Sequence, residues 1–132
     1  MRFIYSAVRS LEGTEKIGTK HCAALIQHFT PGVGVASSWS EGDTVMGNKD
    51  IVAGTAIATF VNGMYPNKNK GNRAAYFLHQ TVNGYFVMDQ WTNDKLKAFV
   101  SKRLIRAKGK QNRDGTWPDA VDNAFAYSII ER

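Results

Sequence analysis

Cysteine occurs once in these 132 residues and proline three times, and no run of the chain is long and apolar enough to cross a bilayer. A single cysteine excludes an internal disulfide and any multi-cysteine zinc site, so cysteine usage leaves the compartment open. Histidine is scarce too, and the imidazoles on offer are His21, His28 and His79. The opening Met1-Arg2-Phe3-Ile4-Tyr5-Ser6 is soon broken by Arg9, Glu12, Glu15 and Lys16. It has neither the apolar centre of a secretory signal nor the length of a membrane span, so a chain made in the cytoplasm without a signal peptide, and without membrane insertion, is expected. Internal repeats and low-complexity segments are also missing. What is present suits one domain over residues 1–132, long enough to bury roughly two thirds of its unfolded surface with no metal, disulfide or cofactor.

The formal charge of +6 is unevenly spread. Lys95, Lys97, Lys102, Arg103, Arg106, Lys108, Lys110 and Arg113 follow one another with no acidic residue between them. Such a stripe suits a polyanionic partner, or is simply a solvated face. No zinc-finger spacing, basic zipper or ribonucleoprotein motif accompanies it, and nucleic acid is not expected as a partner.

The stretch Gly18-Thr19-Lys20-His21-Cys22-Ala23-Ala24-Leu25-Ile26-Gln27-His28-Phe29 predicts a short helix, with Thr19 as N-cap and Ala23, Ile26 and Phe29 on its buried side. Cys22 then stands at the helix tip facing a cleft, where the macrodipole and unpaired N–H groups favour thiolate over thiol. The plain alternative is a small buried hydrophobe beside two alanines. Thr30-Pro31-Gly32 closes the helix. Residues 4–11 fit helix or strand. Residues 33–48, without a clear period, read as a long surface loop holding at most one short helix.

Beyond Gly54 the pattern becomes that of strands. Thr55–Val61 is the first, Arg73–Gln80 and Tyr85–Trp91 are two central antiparallel strands joined through Asn83-Gly84, Ala98–Arg106 is another, and Asn123–Ile130 is the last. The fold class is α+β, an N-terminal helix carrying the cysteine on a meandering antiparallel sheet.

Three segments carry a resemblance to known proteins: His21-Cys22-Ala23-Ala24-Leu25-Ile26-Gln27, the Gly54–Phe60 strand with its loop through Tyr65-Pro66, and Gly71-Asn72-Arg73-Ala74-Ala75-Tyr76-Phe77-Leu78 running on to Val87-Met88-Asp89-Gln90-Trp91. The match extends to Asn123–Glu131. On these residues the chain resembles the papain-like bacterial cell-wall amidases, the CHAP and NlpC-type group, and is most similar to small amidase effectors of type VI secretion systems. The resemblance implies a papain-like fold and a hydrolase with Cys22 as nucleophile. It also implies peptidoglycan peptide stems as substrate, secretion into a target-cell periplasm, and a cognate immunity protein as a partner.

One departure stands out. The group has histidine where this chain has Arg73, and a guanidinium stays protonated, so it cannot serve as general base to Cys22. The chain as written is therefore expected to be inactive or nearly so. One base transition converts a histidine codon to an arginine codon. The alternative is a non-catalytic module binding cell wall or another anionic ligand. His79, six residues along the strand at ~3.3 Å per residue, is roughly 20 Å away and too distant to substitute. His21 stands where related enzymes often carry an oxyanion donor, or is an ordinary helix-start residue, and His28 reads as a surface or packing residue.

The group's orienting residue falls on Asp89 or Gln90. A strict two-residue turn at Asn83-Gly84 puts Gln90 on the face of Arg73 and Asp89 on the other, whereas a bulge reverses this. The resemblance favours Asp89, since a carboxylate stabilises imidazolium better than an amide. Asn72 flanks the site, and among the aromatics Trp39 and Tyr65, both in loops, are the candidate groove residues.

Overall fold

The computed structural model describes residues 2–68, 71–92 and 98–132. Among these are one helix, α1 (Cys22–Phe29), and six strands: β1 (Ser40–Thr44), β2 (Ala56–Thr59), β3 (Ala74–Thr81), β4 (Gly84–Asp89), β5 (Ser101–Arg106) and β6 (Tyr127–Glu131). The strands form one antiparallel sheet in the order β1-β6-β2-β3-β4-β5, and with the helix laid on it the architecture is α+β. Strands β2 to β5 make the expected meander. The C-terminal strand departs from it, returning to lie between β2 and β1.

Strand β1 falls where the sequence suggests a loop. Ser40-Glu41-Gly42-Asp43-Thr44 has no apolar alternation because it is an edge strand, laddered to β6, joined on its other side by a bridge from Ser40 to Met64, and almost wholly exposed. Charge on such an edge also discourages pairing with another chain. The ambiguous segment 4–11 resolves into a single bridge from Ile4 to Thr55 and a 3₁₀ turn at Val8–Leu11.

Helix α1 starts later than its sequence suggests. Gly18 and Lys20 both take positive φ, 57° and 68°, so the chain turns sharply through Thr19, and the N-cap is extended His21 with no side-chain cap. Thr19 is therefore not the cap. The buried side is Cys22, Leu25 and Ile26, with Ala23 and Phe29 partly covered against the same core, so Leu25 joins the residues expected there. This stripe rests on Ala56 and Ala58 of β2 and Ala74, Tyr76 and Leu78 of β3. Three alanines let the helix lie close to the sheet. At the C-terminus Thr30 N–H and Oγ1 both donate to the Ile26 carbonyl, at 2.9 and 2.6 Å, and Tyr76 Oη adds a third bond at 3.2 Å. Pro31 cannot continue the helix.

The opposite face of the sheet buries Ile57, Phe77, Tyr85, Val87, Ile105 and Ile129 under Val45, Ile51, Ala124 and Ala126. Tyr85 Oη donates to the Ala124 carbonyl at 2.7 Å, pinning the C-terminal 3₁₀ turns to this face.

The β3–β4 hairpin is one residue out of step with the Asn-Gly expectation. Thr81 pairs with Gly84, so Val82 and Asn83 form the loop, and neither they nor Gly84 adopts positive φ. Gly84 is glycine for another reason: a Cβ there falls 2.0 Å from the Ile105 carbonyl oxygen of β5. Further along, the register shifts between Phe77 and His79, leaving Leu78 as an extra residue in β3. That bulge exchanges the faces on the far side of it. Continuing from Tyr76↔Met88 sets Asp89 opposite Ala75, on the face of Arg73, and turns Gln90 toward the helix.

Gly84→Ala should force β5 away from β4 and lower stability by roughly 1–3 kcal/mol. Urea unfolding of the variant beside the unaltered chain checks this, and an unchanged midpoint would show that the two strands can separate at no cost.

Candidate active site

Cys22 is 2 % exposed and stands at the first position of α1, at the edge of a cleft of about 210 Å³. Thr19, His21, Gln27, Tyr65, Asn72 and Trp91 also line it. The sulfur lies 3.6 Å from Tyr65 Oη, which accepts a hydrogen bond from Asn72 Nδ2 at 3.1 Å. Burial, and then the adjacent Cys22, push the Tyr65 hydroxyl well above the usual phenol range, so it keeps its proton. A larger cavity of about 440 Å³ opens on the other side of Tyr65, walled by Val61, Met64, Pro66 and Trp117.

Arg73 is turned elsewhere. Its Nη1 donates to Asp89 Oδ2 at 3.1 Å, and its guanidinium lies over the Trp91 ring, 4.7 Å from the centroid. No hydrogen bond joins the Cys22 sulfur to the Arg73 side chain among the described residues: the sulfur meets Tyr65, and Arg73 lines a small cavity with Asp89, Gln90 and Arg103. Trp91 belongs to both cavities. Arg73 Nε is buried with no hydrogen-bond partner among the described residues.

Asp89 is shared. Arg103 Nη2 and Nε also donate to its Oδ2, at 2.8 and 3.1 Å, and Arg103 Nη1 reaches Asp122. Burial works against the charged form of Arg103, yet Asp89, Tyr127 and Asp122 together hold it above its ordinary value. Removing one partner from such a buried set strands the others. Asp89→Asn is expected to cost about 3–5 kcal/mol for that reason. Chemical unfolding measures it, and a loss below ~1 kcal/mol would mean that water screens these charges as it does at a surface.

Gln90 does not share Arg73's face. Its Nε2 donates to the carbonyls of His21, at 2.7 Å, and Ile17, at 3.1 Å, while its Oε1 accepts from Ile17 N–H at 2.8 Å. The amide thus fastens the turn before Cys22 to β4. Nothing in the sequence flags a contact that spans some seventy residues. In Gln90→Ala the Ile17 amide should exchange with deuterium at least tenfold faster while amides of β3 and β4 stay protected, as expected of a locally released segment. Uniformly faster exchange would instead make Gln90 a general strut of the fold.

The other expected residues sort as follows. His21 is exposed, lines the cleft and sets its ring edge-on to Trp91, with centroids 5.7 Å apart. Tyr65 and Asn72 also line the cleft. Trp39 does not: it is 3 % exposed, its Nε1 donates to the Val33 carbonyl at 3.1 Å, and its ring packs behind Tyr65. An indole whose N–H finds a buried carbonyl settles in the core, so the loop position misled. His79 packs on Phe86 and His28 on Phe29, both exposed.

The basic stripe is not one face. Lys95 and Lys97 lie outside the described residues. Arg103 is spent on Asp89 and Asp122, and Lys108 pairs with Asp119. Lys102 and Arg106 point to the other side of β5, where Lys102 sits 4.6 Å from the Phe86 ring centroid. Alternation along a strand divides what is continuous in sequence. Among the described residues no group of three or more His, Cys, Asp or Glu side chains gathers to hold a metal ion, and no helix is long and apolar enough to cross a membrane.

A cysteine at the N-terminal tip of a helix laid on an antiparallel sheet is the layout of the papain-like α+β proteins. The family of domesticated amidase effector 2 (Dae2) matches residues 3–117, and the chain belongs to that family. It is 51 % identical to a type VI secretion amidase effector 2 protein of Salmonella typhi, over 99 % of this chain and all of that one. A solved structure of type 6 secretion amidase effector 2 (Tae2) superposes with a TM-score of 0.93 at 50 % identity, covering 98 % of this chain and 94 % of the other.

Proposed function

We propose that residues 1–132 act as one amidase domain directed at the peptide stems of peptidoglycan, and that Arg73 leaves the chain inactive or nearly so. In this reading a type VI secretion system delivers it to the periplasm of a target cell, and a cognate immunity protein guards the producer. The Cys22 thiolate attacks a peptide carbonyl, the amine departs with a proton from the group at position 73, and an acyl-thioester remains. Water, deprotonated by that same group, then releases the acid and restores the thiol. His21 donates to the oxyanion, Asp89 orients an imidazole at position 73, and Tyr65 and Asn72 form the wall on which the stem lies.

The observation that carries this reading is the pairing of position 73 with Asp89 at 3.1 Å beside the wall of the Cys22 cleft. A carboxylate there suits an imidazole that must become imidazolium. Arginine takes the same bond but neither gives nor accepts a proton at the pH of turnover. Its engagement with Asp89 and Trp91 also favours a second reading, in which the chain is a binding module on the same scaffold and Arg73 is structural.

Arg73→His separates the two. With the imidazole restored, release of soluble fragments from purified sacculi should rise by at least ~10²-fold, the usual share of general acid–base catalysis. Chromatography of the digest reads it, with Arg73→His plus Cys22→Ala as the blank. No fragments from Arg73→His would falsify the amidase reading and leave the binding module.

A further inference from the structure

Three bonds run in series beneath the cleft. Lys68 N–H donates to Asn72 Oδ1 at 2.7 Å, Asn72 Nδ2 donates to Tyr65 Oη at 3.1 Å, and Tyr65 Oη meets Cys22 Sγ at 3.6 Å. The first of these fixes the direction of the rest. A backbone N–H can only donate, so the Asn72 oxygen faces Lys68 and its NH₂ faces Tyr65. Tyr65 Oη accepts that bond, and among the described residues the one acceptor within reach of its own proton is the sulfur. Asn72 is 3 % exposed and Tyr65 6 %, so the alignment is set by the fold and not by solvent. The ring is braced as well, by Trp39 at 4.9 Å and Phe60 at 6.5 Å between centroids.

From this geometry we infer that Tyr65 is a hydrogen-bond donor to the Cys22 sulfur, oriented by Asn72, and that it stabilises the thiolate in place of the imidazole this chain lacks. A neutral donor aimed at sulfur favours the anion whatever occupies position 73, because Arg73 spends its bonds on Asp89. Tyr65 thus serves the nucleophile directly and is more than a wall for substrate, while Asn72 is a positioning residue. The inference rests on Cys22 as the reacting group of the proposed function, but not on turnover.

The test is therefore made on the thiol itself, in the chain as it stands. Thiolate absorbance near 240 nm, with Cys22→Ala as blank, and the rate of alkylation by iodoacetamide are followed against pH. Tyr65→Phe keeps the ring and deletes the proton. The thiolate curve should move to higher pH, and alkylation at neutral pH should slow by about tenfold, the loss of one hydrogen bond to a charged acceptor. As a second variant that leaves packing nearly untouched, 3-fluorotyrosine placed at position 65 alone is a more acidic donor and should move the curve to lower pH. Unchanged curves in both variants, or displacement in the same direction by both, overturn the donor assignment. That result would leave the amidase reading intact, since sacculus digestion by Arg73→His is scored separately. Opposite displacements support the donor even if no variant cuts sacculi.

Discussion

Much of this structure depends on one surplus residue. Without the bulge at Leu78 the hydrogen-bond ladder between β3 and β4 would carry Asp89 to the helix side and Gln90 to the far side. Each side chain would then meet the wrong neighbours. The carboxylate would lose two guanidinium groups, and the amide would lose the backbone of Ile17 and His21. The bulge sends consecutive residues of one strand to opposite tasks, holding charge beneath the sheet and fastening the thiol's turn above it.

The thiol's position is fixed from three sides that share no sequence neighbourhood. Ala56, Ala58 and Ala74 set how close the helix comes to the sheet, Tyr76 and Thr30 tie down its C-terminal end, and Gln90 holds the turn that precedes it. Lys16 adds a fourth attachment, donating to the Trp91 carbonyl. Helix-tip placement is ordinary in itself. Here it is held by β2, β3 and β4 together, so the strand that carries position 73 and the one that carries Asp89 cannot drift relative to Cys22 without breaking a packed contact.

Much of this was legible in the sequence where a local rule and the tertiary outcome agree. Strand-favouring composition marked β2 to β6, Pro31 marked the end of the helix, and the motif around Cys22 pointed to the family. Local rules failed where a contact from elsewhere decides. Thr19 has the chemistry of a cap, but the turn made by Gly18 and Lys20 hands that place to His21. Asn83-Gly84 looks like a hairpin turn, yet Gly84 answers to the close approach of Ile105. Polar β1 has no apolar face to betray it, and Arg103 looks in sequence like any member of a basic run. Asp89 against Gln90 turned on the bulge, which leaves no mark in the composition around Phe77-Leu78-His79.

The ion-pair set joining Arg73, Asp89, Arg103 and Asp122 holds two cations and two anions, and its formal charge is zero. A neutral imidazole in place of Arg73 leaves the set with a net negative charge, carried in part by buried Asp89 and in part by half-exposed Asp122. The field of that charge draws a proton onto the imidazole, toward the form that is no longer a base, and repels a thiolate nearby. An active site built on this scaffold thus holds a standing electrostatic tension that arginine discharges. At this one position chemical competence and charge balance oppose each other, and the arginine that stands there keeps the charges even.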